Sequence, residues 1–235
     1  MITVHRAQDR YASTPEPGVS TRHAFSFSGH YDPENTSFGG LLACNEESLA
    51  AGSGFAPHRH RDTEILTWVL EGALSHRDDH GHAAVVRPGT LQYLSAGSGV
   101  EHSERAAEGP VRFLQFWLQP DAFGTRPRYA LRTVDPAAAA VDLTQGQLRR
   151  GDASLHLRRA EPYALVDLPT ATYLYLHVVR GALGFRTASG PRGVGVELAP
   201  GDAARAHATR PVDPTAGPDG VELLVWAMET PLQYG

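Results

Sequence analysis

The chain has 235 residues, 41% hydrophobic and 20% charged, an ordinary balance for a globular protein with room for one large core or two small ones. A net charge of -5, a pI near 6.2 and no cluster of Lys and Arg exclude direct binding to a nucleic-acid backbone. The one cysteine, Cys44, excludes an internal disulfide, and no run approaches the roughly 18 apolar residues of a membrane-spanning helix.

The stretch "MITVHRAQDRY" has no apolar centre of the kind a secretory signal needs, so the cytoplasm is the expected compartment. Cys44 in "LLACN" reads as a small buried hydrophobe. From there short runs rich in β-branched and aromatic residues follow one another, bounded by Gly, Pro or Asp. In the first half they are "ILTWVL", "AAVV", "LQYL" and "VRFLQFWL"; in the second, "YALVDL", "YLYLHVV", "VGVELA" and "VELLVWAM". With Gly 24 and Pro 17 supplying turns, this pattern predicts antiparallel sheets closed as a barrel or sandwich. Between the halves, Asp135 to Arg150 reads either as a helix or as a loose connector.

The halves repeat each other. "WVLEGAL" returns as "HVVRGAL", "VVRPGTLQYL" as "VELAPGDAARA", and "VRFLQFWLQP" as "VELLVWAMETP", each about 110 residues on. Two copies of one β domain are expected, over residues 1–132 and 133–235.

Chemistry is confined to the first copy. "PHRHRDTE" spaces His58 and His60 by two, and "GVEHSERA" does the same for His102 and Glu104. In a strand, i and i+2 share a face, so each pair can point into a barrel. Converging, they would offer three imidazoles and a carboxylate, a set suited to Fe, Mn, Co, Ni, Cu or Zn with a position left for water or substrate. The corresponding positions of the second copy fall in "VDLP" and "VDPTAGP", which carry no such donors, so one metal per chain is expected. Glu64 is a second candidate carboxylate unless a bulge at Asp62 or Thr63 turns it away. His76, His80 and His82 in "SHRDDHGH" read as a solvated hairpin tip.

The stretches "TRHAFSFSGHYDPENTSFG", "GFAPHRHRDTEILTWVLEG" and "LQYLSAGSGVEHSE" resemble the pirin family, two-domain members of the cupin β-barrels. The resemblance covers the N-terminal half and continues, diverged, into the second. It implies an all-β fold of two tandem cupin barrels with a metal, most often iron, in the first and a degenerate second barrel. It implies His58, His60, His102 and Glu104 as the ligands. The residue at the position of Glu64, a ligand in many single-domain cupins, is not one in pirins, which puts Glu64 beside the metal site. Nuclear pirins of eukaryotes have Pro between the two histidines and Gly after the next basic residue; "HRHRDTE" looks more like the bacterial pirin-like proteins with quercetinase activity.

Three neutral imidazoles and one carboxylate would leave a divalent site at +1, which an enolate or phenolate neutralises. Glu104 or Glu64 would accept the proton. Similarity to quercetin 2,3-dioxygenases then implies O₂-dependent opening of a flavonol-like ring with loss of CO by a monomer. Two other classes share these residues: a metal-binding regulator acting through a protein partner, and a non-redox isomerase.

Overall fold

The computed structural model describes residues 1–187 and 193–233. In chain order the strands are β1 (Ile2–His5), β2 (Tyr11–Ser13), β3 (Val19–His23), β4 (Leu41–Leu49), β5 (Gly54–His60), β6 (Glu64–Glu71), β7 (Leu74–Asp78), β8 (Ala83–Val86) and β9 (Thr90–Ser95). They continue with β10 (Val100–Ala106), β11 (Val111–Leu118), β12 (Arg128–Thr133), β13 (Ala140–Asp142), β14 (Ala153–Ala160), β15 (Tyr173–Arg186), β16 (Gly195–Leu198), β17 (Ala203–His207) and β18 (Val212–Met228). The only helical turn among the described residues is of 3-10 type, at Ala7–Asp9. Residues 135–150, read as helix or connector, form turns around the short β13. Among the described residues, no helix is long and apolar enough to cross a membrane.

The first barrel is a seven-stranded sheet, β12-β9-β6-β11-β4-β3-β2, and a four-stranded sheet, β5-β10-β7-β8. The second is built on β1-β17-β15-β18-β14-β13, with β16 on β15. The order β9-β6-β11-β4 in one sheet matches β17-β15-β18-β14 in the other, which is the sequence repeat in three dimensions. Its hinge is also repeated. Gly72 and Gly181 both adopt positive φ (76° and 68°), and a Cβ there would lie 2.2 Å from Pro110 O and 2.1 Å from Gly220 O respectively. Only glycine lets the strand bend over at that close backbone approach.

Alternation decides where each face goes. On β11, Leu114, Phe116 and Leu118 face the second barrel, where they join Leu66, Trp68, Tyr93, Tyr175, Leu224 and Trp226 in one shared core. Phe116 meets Trp226 edge-on at 5.8 Å. The opposite face of β11 turns into the first barrel. Leu49, Val69, Leu74 and Phe113 fill one end of that interior, and Ile65, Leu94 and Val100 the other. Cys44 is buried in the shared core.

An apolar cluster that includes Leu174, Leu176, Leu183, Phe185, Leu223 and Val225 packs the second barrel. "YALVDL", expected as a strand, survives only as an isolated bridge, Leu165 to Thr215. It occupies the place of β5, the strand that carries His58 and His60 in the first copy. The division at residue 132 needs one correction: β1 pairs with β17, Ile2 opposite Ala206, so the chain begins in the second barrel's sheet.

Candidate metal centre

Strands β5 and β10 run antiparallel with His58 opposite His102 and His60 opposite Val100. The spacing of two puts both β5 histidines on one face, and the pairing brings His102 between them. The three rings form a nearly equilateral triangle, with centroids 4.5 Å (His58–His102), 4.8 Å (His58–His60) and 4.9 Å (His60–His102) apart. Their ligand nitrogens all lie within 4.8 Å of one another.

The donor chemistry of this triangle fits a metal. His58 Nδ1 donates to Ala56 O at 2.8 Å, which leaves its Nε2 as a lone pair. The Nε2 atoms of His60 and His102 are buried with no hydrogen-bond partner among the described residues. A core histidine satisfies such atoms; a ligand histidine keeps them for an ion. Burial first, and then neighbouring histidines (His102 and His58 for His60, His58 and His76 for His102), hold the pKa of both rings down to about 3, so both are neutral near pH 7 and no proton competes for them.

Glu104 sits one register step further along β10, beyond a bulge. Its two oxygens accept from Gln92 Nε2 (3.0 Å) and Gln115 Nε2 (2.9 Å), which fix its orientation. Its ligand oxygen groups with His102 and with His76 rather than with all three triangle histidines. It nonetheless lines the same cavity, of about 170 Å³, as His58 and His60. Phe27 and Trp117 meet edge-on at 5.0 Å in its wall, and Trp117 packs against His60 at 4.9 Å.

Two expectations are corrected here. Glu64 does not face the cavity. Asp62 takes up a positive φ of 49° between β5 and β6, the alternation restarts, and Glu64 falls on the face that meets the second barrel. There it is fully buried and accepts from Tyr93 Oη and from Ser95 Oγ (2.6 Å). It is therefore a structural carboxylate with no access to a substrate in the cavity. His76 is not solvated either: it is fully buried beside His102, and of that hairpin's three histidines only His80 and His82 are exposed.

Glu47 on β4 was not singled out from sequence. It is buried, lines the cavity, and accepts from Thr21 Oγ1 at 2.5 Å. Burial above all pushes its pKa up to about 8, with the Glu104 charge adding to the rise, so near neutral pH it is mostly a carboxylic acid. A signal was present for Gln92 and Gln115, each a polar residue inside an otherwise apolar run, "LQYL" and "FLQFW", but not for Glu47, which stands in the polar run "NEES". Nothing local said which barrel face each occupies.

Comparison with known proteins gives a consistent result. Residues 4–118 match the family model described as Pirin. A Mycobacterium tuberculosis (strain ATCC 25618 / H37Rv) protein, provisionally named a quercetin 2,3-dioxygenase, is 41% identical over 98% of this chain and 96% of its own. The Escherichia coli (strain K12) protein named quercetin 2,3-dioxygenase is 35% identical over 66% of this chain and 68% of its own. Among solved structures, the bacterial pirin YhhW from Escherichia coli in complex with nickel(II) superposes with a TM-score of 0.84 at 26% identity, covering 99% of this chain and all of that one. A quercetin 2,3-dioxygenase from Acinetobacter baumannii, TM-score 0.75 and 16% identical over 100% of this chain and 82% of its own, shares the fold. With three imidazoles converging in the first of two cupin barrels, and these relatives along its length, the chain belongs to the pirin family.

Proposed function

We propose that this pirin is a metal-dependent dioxygenase of the quercetinase type, which opens a flavonol-like enol substrate with O₂. His58, His60, His102 and Glu104 would hold one divalent transition metal per chain, iron first, in a monomer working in the cytoplasm. The observation that carries the reading is the triangle of His58, His60 and His102, with the buried Nε2 atoms of His60 and His102 unpartnered, beside an aromatic-walled cavity that Glu104 and Glu47 also line. The relatives that carry the quercetin 2,3-dioxygenase name support it.

When bound, the metal supplies a Lewis acid that lowers the pKa of a substrate hydroxyl. The chain's own residues do the rest. Trp117, Phe27 and Phe55 give apolar walls suited to a flat aromatic ligand. Glu104, fixed by Gln92 and Gln115, takes the proton from the substrate's 3-hydroxyl. Glu47, kept as the acid, donates a hydrogen bond into the cavity, where it can meet the neighbouring carbonyl. The reaction consumes one O₂, cleaves the heterocycle and releases CO.

The test is oxygen uptake by protein stripped with a chelator and reloaded separately with Fe, Mn, Co, Ni or Cu. Flavonols with a free 3-hydroxyl should be oxidised; their 3-O-methyl analogues, with no proton to give up, should not. Absence of flavonol-dependent uptake with all five metals would reject the dioxygenase in favour of a metal-binding regulator acting through a protein partner.

A further inference from the structure

Behind His102, away from the triangle, lies a chain of polar contacts that the proposed reaction does not use. His76 on β7 is fully buried, and its Nδ1 is 3.4 Å from His102 Nδ1. Its Nε2 is 3.3 Å from Asp78 Oδ2. Oδ2 of Asp78 also accepts from His82 Nδ1 at 2.8 Å, while Oδ1 accepts the backbone N–H groups of His80 (3.0 Å) and His82 (2.9 Å). The ring of Tyr129 stacks on both His76 (4.6 Å) and His82 (4.9 Å). Its hydroxyl donates to Gln92 Oε1 at 3.1 Å, which turns the Gln92 amide nitrogen toward Glu104.

One proton arrangement along this chain leaves a His102 nitrogen open to an ion, the one in which His76 carries a single ring hydrogen. A carboxylate only accepts, so His76 Nε2 carries a hydrogen toward Asp78. His76 then accepts at Nδ1, and His102 Nδ1 carries a hydrogen and donates it. That leaves the lone pair of His102 on Nε2, the buried atom without a protein partner. We propose that His76 and Asp78 are positioning residues that lock His102 in the Nε2-open tautomer and orientation, with the Tyr129–Gln92 arm doing the same for Glu104. The proposal rests on His102 being a metal ligand, and its test separates the two claims.

The informative variant is Asp78→Asn. The two turn N–H groups require an acceptor, so the amide oxygen stays in the Oδ1 position and the NH₂ group replaces Oδ2. It then donates to His76 Nε2, moves the His76 hydrogen to Nδ1, and forces His102 to accept there. The His102 hydrogen is driven to Nε2, where it blocks the ligand atom. Chelator-stripped protein is titrated with Co(II) against a competing chelator, its visible ligand-field spectrum is recorded, and the metal-free melting temperature is measured. Asp78→Asn should bind Co(II) roughly 10–100-fold more weakly, with a changed spectrum and a near-native metal-free melting temperature. His76→Phe, which keeps the stack on Tyr129 but breaks the relay, should do the same and serves if Asp78→Asn does not fold. His80→Ala, whose side chain reaches Gly99 O and Asp79, should bind as wild type. Affinity within twofold of wild type and an unchanged spectrum in Asp78→Asn, or in His76→Phe where that variant replaces it, overturns the positioning role. Undiminished Co(II) binding by His102→Ala would instead overturn the ligand assignment on which it rests.

Discussion

Replacing Glu47 by Gln removes one titrating group from the interior of the first barrel, and the effect on stability can be worked out in advance. The residue is 3% exposed, and its pKa is pushed up to about 8 by burial, with the Thr21 hydrogen bond opposing and the Glu104 charge reinforcing. In the unfolded chain the group ionises near its ordinary value of 4.5. Between those pH values the folded protein binds one more proton than the unfolded chain. Its stability therefore falls as pH rises, by about 1.4 kcal/mol per unit, and levels off above pH 8. Glutamine keeps the shape, accepts the Thr21 hydroxyl through its amide oxygen and does not titrate. The stability of Glu47→Gln relative to wild type should thus grow by on the order of 3 kcal/mol between pH 5 and pH 7. His60 and His102 act in the opposite sense, since their depressed pKa values cost stability as pH falls from 6.5 toward 3. That contribution is common to both proteins and cancels in the difference. Urea unfolding of the metal-free proteins across this range is the assay. Two curves that stay parallel from pH 5 to pH 8 would refute the claim that Glu47 is held as a neutral acid.

Elemental analysis should find close to one metal per chain, because among the described residues groups of three metal-binding side chains occur only in the first barrel; two would mean a site elsewhere. His58→Ala, His60→Ala and His102→Ala should each lose most of that metal, and wild-type content in any of them removes it from the ligand set. Glu64→Gln should keep its metal and pay only in stability, about 1–3 kcal/mol for the disturbed contacts with Tyr93 and Ser95; metal loss would return Glu64 to the site. Phe116→Ala, in the core shared by the barrels, should cost roughly 3–5 kcal/mol in chemical denaturation, and a cost below 1 kcal/mol would mean the barrels do not stabilise each other through it.

Much of this protein is written locally. The period-two runs and their turns specify an all-β chain, because a strand buries alternate residues whatever lies opposite. The recurrence of "EGAL" as "RGAL" announces two copies, because the same bent strand needs glycine at the same close approach. The pairs His58/His60 and His102/Glu104 are legible for the same reason: spacing by two is itself a statement about one face of a strand. Only the tertiary structure decided the rest, since it depends on register and on which face meets which neighbour. A single residue with positive φ, Asp62, sends Glu64 to the interface between barrels and removes it from the cavity. Antiparallel pairing of β10 with β7 sets His102 opposite Asp78 and Glu104 opposite His76, and so turns a hydrophilic hairpin into the support behind the site. Glu47, Gln92 and Gln115 come from three strands far apart in sequence, and their meeting around Glu104 exists only once the barrel closes.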